Sequence, residues 1–148
     1  MRIALAADHA GYVLKDTLAA WLREEGHEVT DLGTNGPDSV DYPAFGARLA
    51  HAIAAGETER GIAVCGSGIG ISIAVNRNPA CRCALVSEPL SAALAREHND
   101  ANVLALGARL TGPDLAKACV QAFLDTTFAG GRHRARVDML SPQLQDSD

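Results

Sequence analysis

Cys65-Gly-Ser-Gly-Ile-Gly70 is the stretch of this chain whose residue types could do chemistry. Ahead of it, Ile62 to Val64 is a short apolar run of the kind that forms a fully buried strand. Apolar residues resume at Ile71. Three glycines in five residues permit positive φ and let a ligand approach the backbone closely. A strand, a glycine loop and then a helix start would point several free N–H groups at one spot. Such a spot suits an anion, and the helix dipole adds to the attraction. A thiol at the strand end would face this electropositive nest, which favours thiolate over thiol. The chemistry implied is a reactive cysteine beside an oxyanion or phosphate cradle. Packing is the competing reading, because cysteine is among the most buried residue types.

Familiar uses of a glycine loop fail on spacing. Gly66-Ser-Gly68-Ile-Gly70 lacks the final interval of a dinucleotide fingerprint. A Walker loop needs Lys-Ser or Lys-Thr after its last glycine, whereas Ile71-Ser72 follows here. A cysteine phosphatase would close the loop with an arginine, and there is none in it.

Other polar residues stand where packing gives them no duty. Asp8-His9 follows an apolar run, and the plain alternative is a capping aspartate beside a surface histidine. Tyr42 is either a ring facing the substrate or the apolar start of a helix. His98-Asn99-Asp100 sits between an apolar helix and an apolar strand, where it could simply cap the helix. Arg132, His133, Arg134 and Arg136 form a basic run suited to forked bonds with phosphate, or a solvated surface.

The elements that must position these residues alternate along the chain. Strands are predicted at Arg2–Ala7, His27–Leu32, up to Cys65, Cys81–Val86 and Val103–Gly107. Helices are predicted over Tyr12–Glu25 with Gly26 as its stop, and from Asp41 as cap to about Ala55. Others run from about Ile71 to Asn76, from a Ser87 cap to about His98, and from Thr111-Gly-Pro113 to about Thr126. A polar tail, Ala129–Asp148, completes the chain. Alternation with short connections implies a single doubly wound α/β domain over 1–148. Its five-stranded, mostly parallel sheet carries helices on both faces in a Rossmann-like three-layer arrangement. In such folds ligands bind beyond the carboxyl ends of the strands, which gathers Asp8-His9 and Cys65-Gly-Ser-Gly68 on one edge. The helix that carries His98 returns across the sheet, so His98 should lie at the opposite edge. If it acts with Cys65, a neighbouring subunit must supply it.

Composition narrows the classes. The 148 residues are 47% hydrophobic and 21% charged, an ordinary globular balance. A net charge of −5 gives no reason to expect nucleic acid or an anionic membrane as partner. No run reaches the length of a membrane span, and the N-terminus lacks a signal pattern, so a cytoplasmic protein is expected. Cysteines 65, 81, 83 and 119 lack framework spacing and read as reduced thiols. Alternation would put Cys81 and Cys83 on one buried strand face, and no second ligand pair suggests a metal.

Taken in order, Asp8-His-Ala-Gly11, Asp41-Tyr-Pro43, Cys65-Gly-Ser-Gly-Ile-Gly-Ile-Ser72, Ser87-Glu-Pro89, His98-Asn-Asp-Ala-Asn-Val-Leu-Ala-Leu-Gly107 and Gly130-Gly-Arg-His133 form a combined pattern. It resembles type B ribose-5-phosphate isomerases within the ribose/galactose isomerase family. The resemblance implies interconversion of phosphorylated aldoses and ketoses with no metal or organic cofactor. It implies Cys65 as the base beside the carbonyl and the amides of Gly66, Ser67, Gly68, Ile69 and Gly70 as stabilisers of an enediolate. Ser67 assists there, His98 opens the furanose ring, and Asp8 lies near the sugar hydroxyls. His9, Arg109, Arg132 and Arg136 match phosphate or sugar positions, and Asn99 matches another sugar contact. Family sites lie between two subunits, so a homodimer or dimer of dimers is implied, with residues 129–148 contributing to the shared site. Some members replace the cysteine by a glutamate just after the loop, where this chain has Ile71-Ser72. Relatives act on ribose 5-phosphate, allose 6-phosphate, galactose 6-phosphate or tetrose phosphates, and a complete residue set in one chain favours a pentose phosphate. A non-catalytic sugar-phosphate regulator would have lost Cys65 or His98. A redox thiol protein would place a partner thiol near Cys65, and no such pairing is suggested.

Overall fold

The structure, a computed structural model, describes residues 1–141. Its elements are β1 (Arg2–Ala7), α1 (Tyr12–Glu24), β2 (Glu28–Asp31), α2 (Tyr42–Ala54), β3 (Arg60–Cys65) and α3 (Ile69–Asn76). They continue as β4 (Cys83–Leu85), α4 (Pro89–Asn99), β5 (Val103–Gly107), α5 (Pro113–Asp125) and α6 (Arg132–Asp138). The strands form one sheet in the order β2-β1-β3-β5-β4, and every pairing is parallel. From β1 the chain steps to one side, and after β3 it builds the other side. The order therefore reverses between β1 and β3, the place where open α/β sheets leave a crevice at their carboxyl ends.

Alternating residues of the sheet feed two cores of different character. Ile3, Leu5, Ile62, Val64, Leu104 and Leu106 meet Leu14, Leu18 and Leu22 of α1, Ala92 of α4 and Phe123 of α5. Full burial of each large side chain contributes roughly 1.5–3 kcal/mol. The other face is nearly all small: Ala4, Ala6, Ala63, Cys65, Val103 and Ala105 lie under Phe45 and Leu49 of α2 and Ile71 and Val75 of α3. The two helices of this layer also press on each other. A Cβ on Gly46 would sit 2.8 Å from that of Ala74.

Several boundaries differ from expectation, each for a local reason. β4 spans only Cys83–Leu85, because asparagine side chains take over the backbone ahead of it. Asn102 Oδ1 accepts from Arg82 N at 2.8 Å, and Asn76 holds both Cys83 N and Cys83 O. Cys81 is thus buried outside the strand, and Cys83 is partly buried against the same core. α4 is capped by Glu88 rather than Ser87, its carboxylate accepting from Leu90 N and Ser91 N. Asp41 occupies the cap position of α2 without a side-chain capping bond. α3 starts at Ile69, two residues early, and the tail carries the short helix α6. Residues 142–148 of that tail lie outside the described residues. Among the described residues, no helix is long and apolar enough to cross a membrane.

Candidate active site

β3 delivers Cys65 to the carboxyl edge opposite Gly107 of β5, while Ala7 of β1 pairs with Val64. Asp8 therefore emerges beside Cys65 from the neighbouring strand. The loop after Cys65 is squeezed against the end of β5. A Cβ on Gly107 would lie 2.5 Å from Ser67 O, and one on Gly68 would lie 2.8 Å from the Leu106 carbonyl carbon. Gly68 also has φ +76°, which side-chain-bearing residues rarely adopt. This fold of the loop turns the Gly68 N–H back onto Cys65 Sγ at 3.1 Å. The Ile69 N–H donates to Ser67 Oγ at 3.2 Å, which leaves the Ser67 hydroxyl proton free for another acceptor.

Backbone bonds then carry the chain out of β5 over the same loop. Ala108 N donates to Cys65 O at 2.9 Å and Arg109 N to Gly66 O at 3.0 Å. The guanidinium of Arg109 consequently lies over Gly66, its Nε 3.3 Å from where a Cβ would be. Across the loop, the Tyr42 ring at the start of α2 packs on Gly70. Asp8 is 6% exposed, and its Oδ1 accepts from Ala10 N at 2.9 Å and Gly11 N at 3.1 Å. These bonds close the turn ahead of α1, whose cap position is Gly11 without a side-chain bond. Asp8 thus braces the turn rather than capping the helix, and it uses one carboxylate oxygen. His9 Nδ1 accepts from Val40 N at 3.1 Å, so the ring carries its proton on Nε2.

These groups line a cavity of about 290 Å³. Asp8, His9, Tyr42, Cys65, Gly66, Ser67, Gly70 and Arg109 form its wall, together with Ala10 and Leu110. A thiol at a helix N-terminus, two hydroxyls, a carboxylate, an imidazole N–H donor and a guanidinium converge here. Gly68 and Ile69 contribute backbone at the loop rather than wall. Ala10 and Leu110 were not among the expected site residues; as plain apolar residues past two strand ends, topology is the signal that marks them. Among the described residues, no three His, Cys, Asp or Glu side chains are grouped to hold a metal ion.

His98, Asn99, Arg132 and Arg136 are not brought to this cavity. α4 runs back across the sheet and ends at Asp100, whose carboxylate is clamped by Arg96 at 2.9 Å and Arg82 at 3.4 Å. Asn99 lines a separate cavity with Arg82 and Cys83 at that amino edge. His98 stacks on His133 of α6 with ring centroids 4.5 Å apart, and Arg132 and Arg136 are exposed on the same short helix. Burial, then the charges of Arg132, His98 and Arg136, hold His133 below the usual histidine range.

A family model described as Ribose/Galactose Isomerase matches residues 3–140. The chain belongs to the ribose/galactose isomerase family. This isomerase is 46% identical over 140 residues to the ribose-5-phosphate isomerase B of Escherichia coli (strain K12), covering 95% of this chain and 94% of that one. It is 41% identical over 142 residues to the D-erythrulose-4-phosphate isomerase of Pectobacterium atrosepticum, covering 95% and 93%. The solved Clostridium thermocellum ribose-5-phosphate isomerase B superposes with a TM-score of 0.94 at 49% identity, covering 95% of each chain. Both the sequence resemblance and the α/β fold are thereby established.

Two measurements test these electrostatics in the free isomerase. Burial pushes the Cys81 thiol up to about 11 and raises those of Cys83 and Cys119 as well. Iodoacetamide at neutral pH should therefore label Cys65 first by peptide mass mapping; faster labelling of any other cysteine refutes this. His133 resists protonation when folded, so the unfolded chain binds the proton more readily. Stability present above about pH 6.5 should fall as pH drops below it, and His133→Phe should flatten that fall in thermal melts. Parallel curves for the two proteins would count against it.

Proposed function

We propose that this isomerase interconverts ribose 5-phosphate and ribulose 5-phosphate through an enediolate. The observation that carries the reading is Cys65 Sγ, held at 3.1 Å by the Gly68 N–H in a cavity shared with Asp8, His9, Ser67 and Arg109. Cys65 takes the proton from C2 of the open-chain aldose and returns one to C1, while a proton passes from O2 to O1. The loop amides left unengaged by the Gly68 and Ile69 bonds, with the free Ser67 hydroxyl, face the oxygens on which charge develops. Such preorganised donors supply the largest single term in many enzymes. Asp8 uses its remaining carboxylate oxygen on the sugar hydroxyls. The His9 Nε2–H and Arg109 take the phosphate end, and Tyr42 walls the sugar.

Among the described residues, His98, the candidate acid for opening a furanose ring, lies outside the cavity of its own chain. A second copy supplies it, placing its own His98, Asn99, Arg132 and Arg136 at this edge. Ile69 and Ile73, one turn apart on α3 beside the cavity, are 52% and 59% exposed, which supports a covering subunit there. In this reading the enzyme is a homodimer or a dimer of dimers, and residues 129–148 belong to the shared site. Four free thiols suit a reducing compartment, so it works in the cytoplasm. The relative acting on D-erythrulose 4-phosphate supports a second reading, with a tetrose phosphate as the preferred substrate.

Turnover of EDTA-treated protein decides between them when run on ribose 5-phosphate, allose 6-phosphate, galactose 6-phosphate and erythrose 4-phosphate. Ribose 5-phosphate should show the highest kcat/KM, with deuterium entering from heavy water. Binding without exchange would leave only a sugar-phosphate regulator. Cys65→Ala should lower kcat by about 10²–10⁴-fold, the range of a general base. Mixed with inactive His98→Asn subunits, it should recover about a quarter of wild-type activity. Half of the reassorted dimers then carry one intact site of two. No recovery after proven subunit exchange would place His98 outside a shared site.

A further inference from the structure

Lys15 has no place in that chemistry, yet its side chain is completely buried. It lies on the apolar face of α1 with Leu14, Leu18, Ala19 and Leu22, where a lysine is costly unless every donor is paired. Its three donors find three acceptors: Asp31 Oδ2 at 2.6 Å, Asp16 Oδ1 at 2.7 Å and Asn35 Oδ1 at 3.0 Å. Two of these partners belong to β2 and the loop that follows it. Asp31 bridges further, its Oδ1 accepting from Gly33 N at 2.8 Å.

The loop held in this way is stitched to the strand end that carries the site. Ala7 N donates to Gly33 O and Thr34 N to Ala7 O, both at 2.7 Å. Ala7 is the residue before Asp8. At the far end of the same loop, Val40 N donates to His9 Nδ1. Pro37, Asp38 and Ser39 in between are exposed, so the loop's conformation is fixed chiefly at its two ends. One end is the Lys15 cluster. The other sets which nitrogen of His9 bears the proton that points into the cavity.

We propose that Lys15 is a positioning residue for recognition of the substrate's phosphate. It fixes the loop over residues 33–40 through Asp31 and Asn35, and that loop fixes the orientation and tautomer of His9 through Val40. The inference rests on the reading that His9 binds the phosphate, and adds to it the device that keeps the His9 Nε2–H available as a donor. A buried cation at the base of a surface loop thus acts at the cavity without touching ligand.

The test compares the full-length enzyme with Lys15→Met, which keeps length and loses charge, and with Asn35→Ala, at an exposed position that leaves Lys15 intact. Imidazole proton–nitrogen correlation spectra, recorded above about pH 8 where histidines are neutral, read the His9 tautomer without any turnover. Wild type should show Nε2–H alone, and both variants should populate Nδ1–H. KM for ribose 5-phosphate should rise by about 10-fold in Lys15→Met, with kcat changed much less, as for supports of ligating histidines. A lower melting temperature with His9 and KM unchanged would reduce Lys15 to a structural residue and overturn the proposal. A shifted tautomer with unchanged KM would fault the phosphate role of His9 and spare the relay. Should Lys15→Met fail to fold, the Asn35→Ala spectrum decides alone, since an unchanged tautomer there breaks the relay.

Discussion

No side chain fits between the end of β5 and the loop that follows Cys65, and the site is built on that exclusion. With hydrogen at Gly107 and Gly68, the backbone of Ser67 and Gly68 lies directly on the last residues of β5. The loop has one way to turn from there, which brings an amide onto the Cys65 sulfur and starts α3 at the next residue. The same closeness lets Ala108 and Arg109 bond to the carbonyls of Cys65 and Gly66. The Cys65 thiol, the loop amides and the Arg109 guanidinium are thus placed by main-chain contacts, which tolerate little drift. A side-chain network would allow more.

Around this point, the sheet supplies the remaining groups through topology. Because the strand order reverses between β1 and β3, the chain leaves both strands at one crevice, and Asp8 and His9 need no special device to reach Cys65. What does need devices is their orientation. Asp8 is held by the amides of Ala10 and Gly11, and His9 by Val40 from the loop after β2. Each residue gives one polar atom to the scaffold and keeps another for the cavity.

The order of strands and helices could be read from apolar periodicity, and with it the shared edge of Asp8, His9 and Cys65. So could the return of α4 that carries His98 away, since a helix joining parallel strands must end at the amino edge. Other features hang on contacts between distant residues. Arg109 over Gly66 follows from how β5 meets the loop, which no local pattern encodes, and only family resemblance pointed to it. The truncation of β4 depends on Asn76 and Asn102 replacing ladder partners. Glu88 takes the cap expected of its neighbour Ser87, because its longer carboxylate reaches two amides at once. α6 is short and polar, stabilised where His133 meets His98, so its own periodicity is weak. Lys15 was invisible as well, because a lysine among leucines reads as a residue at the margin of a helix face.

The small-residue face of the sheet makes the cavity's gauge a property of a hidden layer. Ala4, Ala6, Ala63 and Ala105 set how close α2 and α3 lie to the strands, and both helices begin at the cavity, one with Tyr42 and the other at Gly68. Protein interiors are packed too tightly to absorb a methyl group silently. An alanine enlarged in that layer lifts two helix starts together and widens the mouth between them. Accommodation of a longer or shorter sugar phosphate is therefore open to evolutionary change at positions no ligand touches, and comparison of lining residues alone would overlook it.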